Sequence, residues 1–261
     1  MHRPSLSDVL LRQMRGARRV MVLTGAGISA ESGLATFRDP LTGYWSRFNP
    51  DELASREGFA ANPRRVWAWY AQRRQKMREV QPNAGHYALA RLQEIYPEVA
   101  IVTQNIDGLH VRAGSRHVIE LHGNLSHFRC FDEDIPVEYT EPAEAGPILD
   151  DAPDTWPEVP RCPRCGGLLR PDVVWFGESL PDAQWNQAEE SALGCDLCLV
   201  VGTSAVVYPA AALPTMARRS GALLIEVNPE PTDLTRVAAL SLRGPAGEML
   251  PWLVEQIASP A

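Results

Sequence analysis

The sequence predicts an α/β protein: a Rossmann-like parallel sheet domain carrying a helical insertion and a small inserted metal-binding-type lobe. Short apolar runs stop abruptly in small or polar residues, and a glycine turn follows the first of them. Two stretches, about 40–96 and 126–171, break the alternation of strand and helix. Near-continuous Val, Ile and Leu runs belong to strands buried on both faces, as in parallel sheets.

In chain order, the first segment sets Arg3, Arg12, Arg15, Arg18 and Arg19 against one acid, Asp8, a balance shared with organellar leaders. Leu6, Val9, Leu10 and Met14 fall on one face at helical spacing, so the segment reads as an amphipathic helix before the first strand. The predicted strands are 20–23, 99–102, 117–121, 197–201 and 222–227. Each ends in polar or glycine residues: Thr24-Gly25-Ala26-Gly27, Thr103-Gln104-Asn105-Ile106-Asp107, His122-Gly123-Asn124, Gly202-Thr203-Ser204 and Asn228-Pro229. Ligands of parallel sheets bind outside the carboxyl ends of the strands, so one site is assembled from five distant segments.

The core is expected over about 1–39, 97–125 and 172–261. Residues 40–96, rich in Trp, Arg and Tyr, read as helices broken at Pro50, Pro63 and Pro82. Residues 126–171 hold three cysteines and many prolines without periodicity, and read as a metal-stapled lobe.

A net charge of -7 and a pI near 5.4 oppose nucleic-acid binding, which needs clustered Lys and Arg, and suit a positively charged protein substrate. No window is apolar enough to span a membrane. Five cysteines without a secretory signal point to a reducing compartment, the cytoplasm by default.

Gly25-Ala26-Gly27-Ile28-Ser29-Ala30 matches the G-x-G-x-x-A dinucleotide turn. Its first glycine allows the tight turn, and its second lets a pyrophosphate approach the backbone. No second strand with a ribose-binding acid follows about 20 residues later, so the dinucleotide is held in a non-standard way. Together, GAGISAESGLATFRDPLTGYW (25–45), TQNIDGLH (103–110), LHGN (121–124), VVWFGE (173–178), VGTS (201–204) and VNPE (227–230) resemble a sirtuin over nearly the whole chain. Within that family the chain is most similar to bacterial and mitochondrial deacylases that remove dicarboxylic acyl groups. Ala35-Thr36, where many deacetylases carry Pro-Asp before Phe-Arg, fits that subgroup.

The resemblance implies NAD as co-substrate and transfer of a lysine acyl group to ADP-ribose. His122 is then the base that activates a ribose hydroxyl, a role suited to a group that titrates near neutral pH. Asn105 orients the ribose or a water, and Asp107 receives the nicotinamide amide. The implied cofactor set is Gly25, Ala26, Gly27, Ser29, Ala30, Phe37, Arg38, Tyr44, Trp45, Gln104, Asn105, Ile106, Asp107, Gly202, Thr203, Ser204, Asn228, Pro229, Glu230 and Ala246. Val174, Trp175, Phe176 and Gly177 would form an extended edge on which the substrate peptide pairs.

Val66, Tyr70, Arg73, Met77 and Val80 share a helical face, and a charge in an apolar stripe requires an anionic partner. Tyr70 and Arg73 match the Tyr-x-x-Arg pair that the subgroup uses on succinyl and malonyl tails. The alternative is an arginine reaching a nearby acid. Cys162-Pro163-Arg164-Cys165 is a zinc knuckle, and Cys130 is a third ligand. The family's other upstream cysteine is replaced by Glu133, leaving Glu133, Asp132 or water as the fourth ligand, or a metal-free lobe. Cys195 and Cys198 read as core. A monomer acting on acylated-lysine proteins is expected, with mono-ADP-ribosyl transfer or non-catalytic nucleotide sensing as the alternatives.

Overall fold

The computed structural model describes residues 5–34, 50–140 and 156–259. Among these the helices are α1 (Asp8–Gly16), α2 (Pro63–Glu79), α3 (Ala84–Ile95), α4 (Asp182–Gly194), α5 (Leu213–Arg219) and α6 (Ala246–Ala258), with shorter turns at Pro50–Leu53, Arg56–Ala61 and Leu109–Arg112. The strands are β1 (Arg19–Thr24), β2 (Glu98–Thr103), β3 (Val118–Glu120), β4 (Gly123–Cys130), β5 (Pro136–Val137), β6 (Leu169–Val173), β7 (Leu197–Val201), β8 (Leu223–Val227) and β9 (Leu240–Leu242). The order β3-β2-β1-β7-β8-β9 makes one parallel sheet, and β5-β4-β6 a small antiparallel one.

The five predicted strands are all present and parallel because their side chains alternate between two buried layers. Val20, Val22, Ile101, Leu199 and Ile225 pack under α3 and α6. Met21, Leu23, Val102, Val200 and Leu224 pack against α4 and α5. Cys198 lies in β7 and Cys195 at the end of α4, both in this second layer, so neither is near the other three thiols.

α1 starts at Ser7, whose hydroxyl accepts the Leu10 N–H at 3.3 Å. Leu6, Leu10 and Met14, four apart, pack with Leu11 against the first layer. Val9 is instead 57% exposed, because the buried stripe turns toward Leu11. α3 also departs from expectation. It was placed with the helical insertion, yet Ala88, Leu89 and Leu92 pack with α6 beneath the parallel sheet.

α2 begins at Pro63 after Asn62, whose side chain accepts the Arg65 N–H at 3.2 Å. Trp67, Trp69 and Tyr70 from this helix share one cluster with Phe128 of β4, Leu169 and Val173 of β6, Cys130 and Cys162. The insertion and the cysteine lobe therefore have a common core. No described helix is long and apolar enough to cross a membrane.

Candidate active site at the strand ends

Beyond the strand ends the backbone ladder continues through the loops. Gly25 N–H donates to Val201 O at 3.1 Å, Gly27 N–H to Gly202 O at 2.8 Å, Gly202 N–H to Val227 O at 2.9 Å and Gln104 N–H to Thr24 O at 3.0 Å. The loops after β1, β2, β7 and β8 thus form one rim. A Cβ on Gly27 would lie 2.7 Å from the Gly202 Cα, and Gly202 itself has φ +58. The second glycine of the turn is required because another loop's backbone occupies the side-chain position, a constraint beyond the expected pyrophosphate approach.

Ala26–Ser32 forms a 3-10 turn that buries Ser29. The Ser29 hydroxyl donates to Asp107 Oδ2 at 2.7 Å and accepts from Asn105 Nδ2 at 3.2 Å. Asn105 Nδ2 also donates to Gly25 O at 3.1 Å, and Leu109 N–H holds the other Asp107 oxygen at 2.9 Å. Burial pushes the Asp107 carboxyl above the ordinary carboxylate range, with the hydrogen bonds from Leu109 and Ser29 opposing the rise. Gln104 Nε2 reaches Thr203 Oγ1 at 3.2 Å, tying the β2 loop to the β7 loop. Gly25, Ser29, Gln104, Asn105, Asp107, Gly202 and Thr203 are therefore brought together.

His122 follows β3, with its Nδ1 2.9 Å from the Gln104 carbonyl. A carbonyl only accepts, so Nδ1 carries the proton and Nε2 keeps its lone pair. Burial lowers the imidazole pKa below 6.5, with the Gln104 hydrogen bond opposing the fall, so the ring is neutral at physiological pH. Its free Nε2 can accept a proton. Val174 N–H donates to His122 O at 2.9 Å, which joins His122 to the segment after β6.

That segment is not the extended edge expected over 173–178. β6 ends at Val173, and Glu178 N–H returns to Trp175 O at 3.0 Å across a turn in which Gly177 has φ +83. The cause is a buried clamp. Arg170, 0% exposed, donates to Glu178 at 2.5 and 2.8 Å and to Val173 O at 2.7 Å. Glu178 also accepts the Trp175 N–H at 2.9 Å. Trp175 is buried beneath the turn, whereas Phe176 is 51% exposed. Trp175 Nε1–H donates to Tyr70 Oη at 2.9 Å, and Arg73 sits 4.6 Å over the Trp69 ring. Tyr70 and Trp175 are thus in contact, with Arg73 one turn along the same helix.

Asn228, Pro229 and Glu230 follow β8, and Asn228 Nδ2 donates to Glu230 O at 2.7 Å. Arg243 supports this loop, donating to Asn228 O at 3.2 Å, Glu230 O at 2.9 Å and the buried Glu226 carboxylate at 3.0 Å. Ala246 opens α6, whose Gly247 N–H donates to Glu31 at 2.6 Å.

In the lobe, one ligand atom from each of Cys130, Glu133, Cys162 and Cys165 lies within 4.8 Å of the others. The Glu133 and Gly167 N–H groups each point at a sulfur, at 3.4 Å, as they would toward thiolates. Three sulfurs and a carboxylate make a closed four-ligand set that fits structural zinc. Glu133, not Asp132, completes it among the described residues. The cluster lies in the core shared with α2, away from His122.

The Sir2 family model matches residues 25–209. The chain belongs to the Sir2 family. This Sir2-family chain is 48% identical over 253 residues to an NAD-dependent protein deacylase of Methylococcus capsulatus (strain Bath), covering 96% of this chain and 97% of the relative. It superposes on a Sir2 homolog–NAD complex with a TM-score of 0.86 at 43% identity, covering 98% and 96% of the two chains. A Sir2–p53 peptide–NAD+ complex gives a TM-score of 0.78 at 35% identity, covering 95% of this chain and 97% of that one.

Phe37, Arg38, Tyr44 and Trp45 lie outside the described residues. Several supporting residues escaped sequence reasoning. His86 and His110 are both buried beneath the site, His86 Nε2 3.5 Å from Ser29 Oγ and His110 Nε2 2.9 Å from Thr24 Oγ1. Burial lowers their pKa values to about 4 and about 3. The signal for His86 was the helix-start pattern, since its Nδ1 accepts the Asn83 N–H at 3.3 Å. For Arg170, Glu178 and Arg243 no local pattern exists, because their partners are set by tertiary structure.

Proposed function

We propose that this chain removes acyl groups from protein lysines in an NAD-dependent reaction that releases nicotinamide and O-acyl-ADP-ribose. The observation that carries the reading is the state of His122: proton fixed on Nδ1 by Gln104 O, Nε2 unprotonated, pKa lowered by burial. NAD supplies an electrophilic anomeric carbon and a ribose hydroxyl. His122 Nε2 takes the proton of that hydroxyl, and Asn105, anchored on Gly25 O and Ser29, orients the ribose. Asp107 receives the nicotinamide amide, and Gly25, Ala26, Gly27, Ser29, Ala30, Gly202, Thr203 and Ser204 line the phosphate and ribose side. Asn228, Pro229, Glu230 and Ala246 hold the adenosine, with Ile106 and Gln104 closing the nicotinamide end.

The substrate peptide lies on Val174, Trp175, Phe176 and Gly177 beside His122. Tyr70 and Arg73 read an acid-tailed acyl group, succinyl or malonyl, alongside acetyl. The nearness of Tyr70 to Trp175 supports this, since it joins the acyl-reading helix to the peptide turn. We place the protein in the cytoplasm as a monomer, in keeping with three of its five cysteines being gathered around one candidate metal site.

The test is nicotinamide release with matched acetyl-lysine and succinyl-lysine peptides, followed by mass spectrometry. Faster succinyl removal with O-acyl-ADP-ribose formed is expected. ADP-ribosylated protein without loss of acyl groups would replace the reading with mono-ADP-ribosyl transfer.

A further inference from the structure

Tyr70 is 3% exposed and its hydroxyl accepts the Trp175 indole N–H at 2.9 Å. An indole nitrogen only donates, so this contact uses a lone pair of the phenol oxygen and leaves the phenol proton unspent. No described residue accepts that proton. A buried donor without an acceptor is costly, which makes it a pointer to a ligand. Arg73 and Arg170 beside it carry donors only, and the nearby Glu178 carboxylate is taken up by Arg170 and the Trp175 N–H. Burial pushes the phenol up to about 12, so it stays protonated and remains a donor at any working pH.

Trp175 is itself held from two sides. Its backbone N–H donates to Glu178 at 2.9 Å, and the Arg170 guanidinium lies 3.6 Å from its ring centroid. Swinging the indole away from Tyr70 would also forfeit its contact with the Arg170 guanidinium.

We propose that Trp175 determines acyl specificity: its N–H occupies one side of the Tyr70 hydroxyl and commits the phenol proton to a carboxylate on the acyl tail. This rests on the deacylase reading above, and in particular on Tyr70 and Arg73 facing an acid tail. A neutral acetyl group offers no acceptor at that depth, so the contact discriminates between acyl classes.

The experiment is kcat/KM for succinyl and acetyl versions of one peptide in the native protein and in Trp175→Phe, Tyr70→Phe, the double variant and Arg73→Met. Trp175→Phe keeps an aromatic ring beside Arg170 while removing the donor, and the Tyr70→Phe background controls for the ring volume lost at this buried position. The succinyl-to-acetyl ratio should fall roughly fivefold, the weight of one net hydrogen bond. In the Tyr70→Phe background, Trp175→Phe should leave the ratio where it is. An unchanged ratio in the single variant, or the same fall in both backgrounds, overturns the proposal. If Arg73→Met leaves the ratio intact, the acid-tail reading fails instead. In the native protein alone, the Trp175 indole 15N–H signal, assigned by through-bond and through-space connectivity, should move on adding succinyl peptide and not acetyl peptide. No selective movement overturns the proposal as well.

Discussion

Arg170→Met removes a fully buried guanidinium while keeping its apolar stem. Three charge-assisted hydrogen bonds go with it, two to Glu178 and one to Val173 O. The Glu178 side chain is 17% exposed, so it is left largely buried with Arg56, at 3.5 Å, as the remaining cation beside it among the described residues. Breaking a buried pair by removing one partner costs about 3–5 kcal/mol. Arg56 offsets part of this, which places the expected loss near ~3 kcal/mol. At roughly 2–4 °C per kcal/mol for a chain of this size, the melting temperature should fall by about 6–12 °C.

The loss also depends on pH. Burial raises the Glu178 pKa, but Arg170 and the Trp175 N–H outweigh it and leave it below the ordinary value. A depressed carboxylate stabilises the fold above the unfolded pKa of about 4.3 and loses that contribution as pH falls through the folded value. The gap between native and variant protein in urea titrations should therefore be widest near neutrality and narrow in acid. A loss under about 1 kcal/mol at neutral pH, the scale of an exposed pair, would refute the clamp as the element that shapes the 174–178 turn.

His122→Ala should abolish deacylation while leaving the melting temperature within a few degrees, and retained turnover would remove its role as base. In the native protein the acid limb of kcat/KM should fall at a pH below the 6.5 of a free imidazole, since burial depresses the His122 pKa and protonation destroys the base. Zinc should be bound at one per chain by elemental analysis; Glu133→Ala should speed its loss to a chelator, and an unchanged release rate would remove Glu133 from the ligand set. Arg243→Gln should raise KM for NAD several-fold with a smaller effect on kcat, because it frees the Asn228–Glu230 loop; a pure kcat effect would contradict this.

β1, β2, β7 and β8 were legible because each is buried on both faces, so hydrophobicity alone marks it, whereas the short β3 was marked by the apolar run that ends at His122. β9 was not, since Leu240-Ser241-Leu242 is too short to show a period. The antiparallel sheet hid for a different reason: β4 pairs with β6 across the cysteine lobe, where proline and turns erase alternation. α3 carries an ordinary amphipathic pattern, and only packing on α6 assigns it to the parallel sheet. In the site, residues on contiguous motifs such as Asn105, Asp107 and His122 could be named from sequence. Glu133 could be narrowed only to a short set, because which acid turns toward the sulfurs depends on the backbone between Cys130 and Asp134, where Asp134 has φ +54. Arg170 and Arg243 were invisible because a buried charge is recognised by its partners.

The common core of α2 and the cysteine lobe carries a consequence for how the molecule opens. The parallel sheet has two hydrophobic layers of its own, so it forms a cooperative unit that can stay closed while the smaller half unfolds. Amides of β4, β6 and α2 should then exchange together, ahead of β1, β2 and β7. Removing metal would lower the opening free energy of that whole group, so acyl selectivity would loosen before the nucleotide rim does. The cysteine lobe in this sense braces α2 and the antiparallel sheet through shared packing.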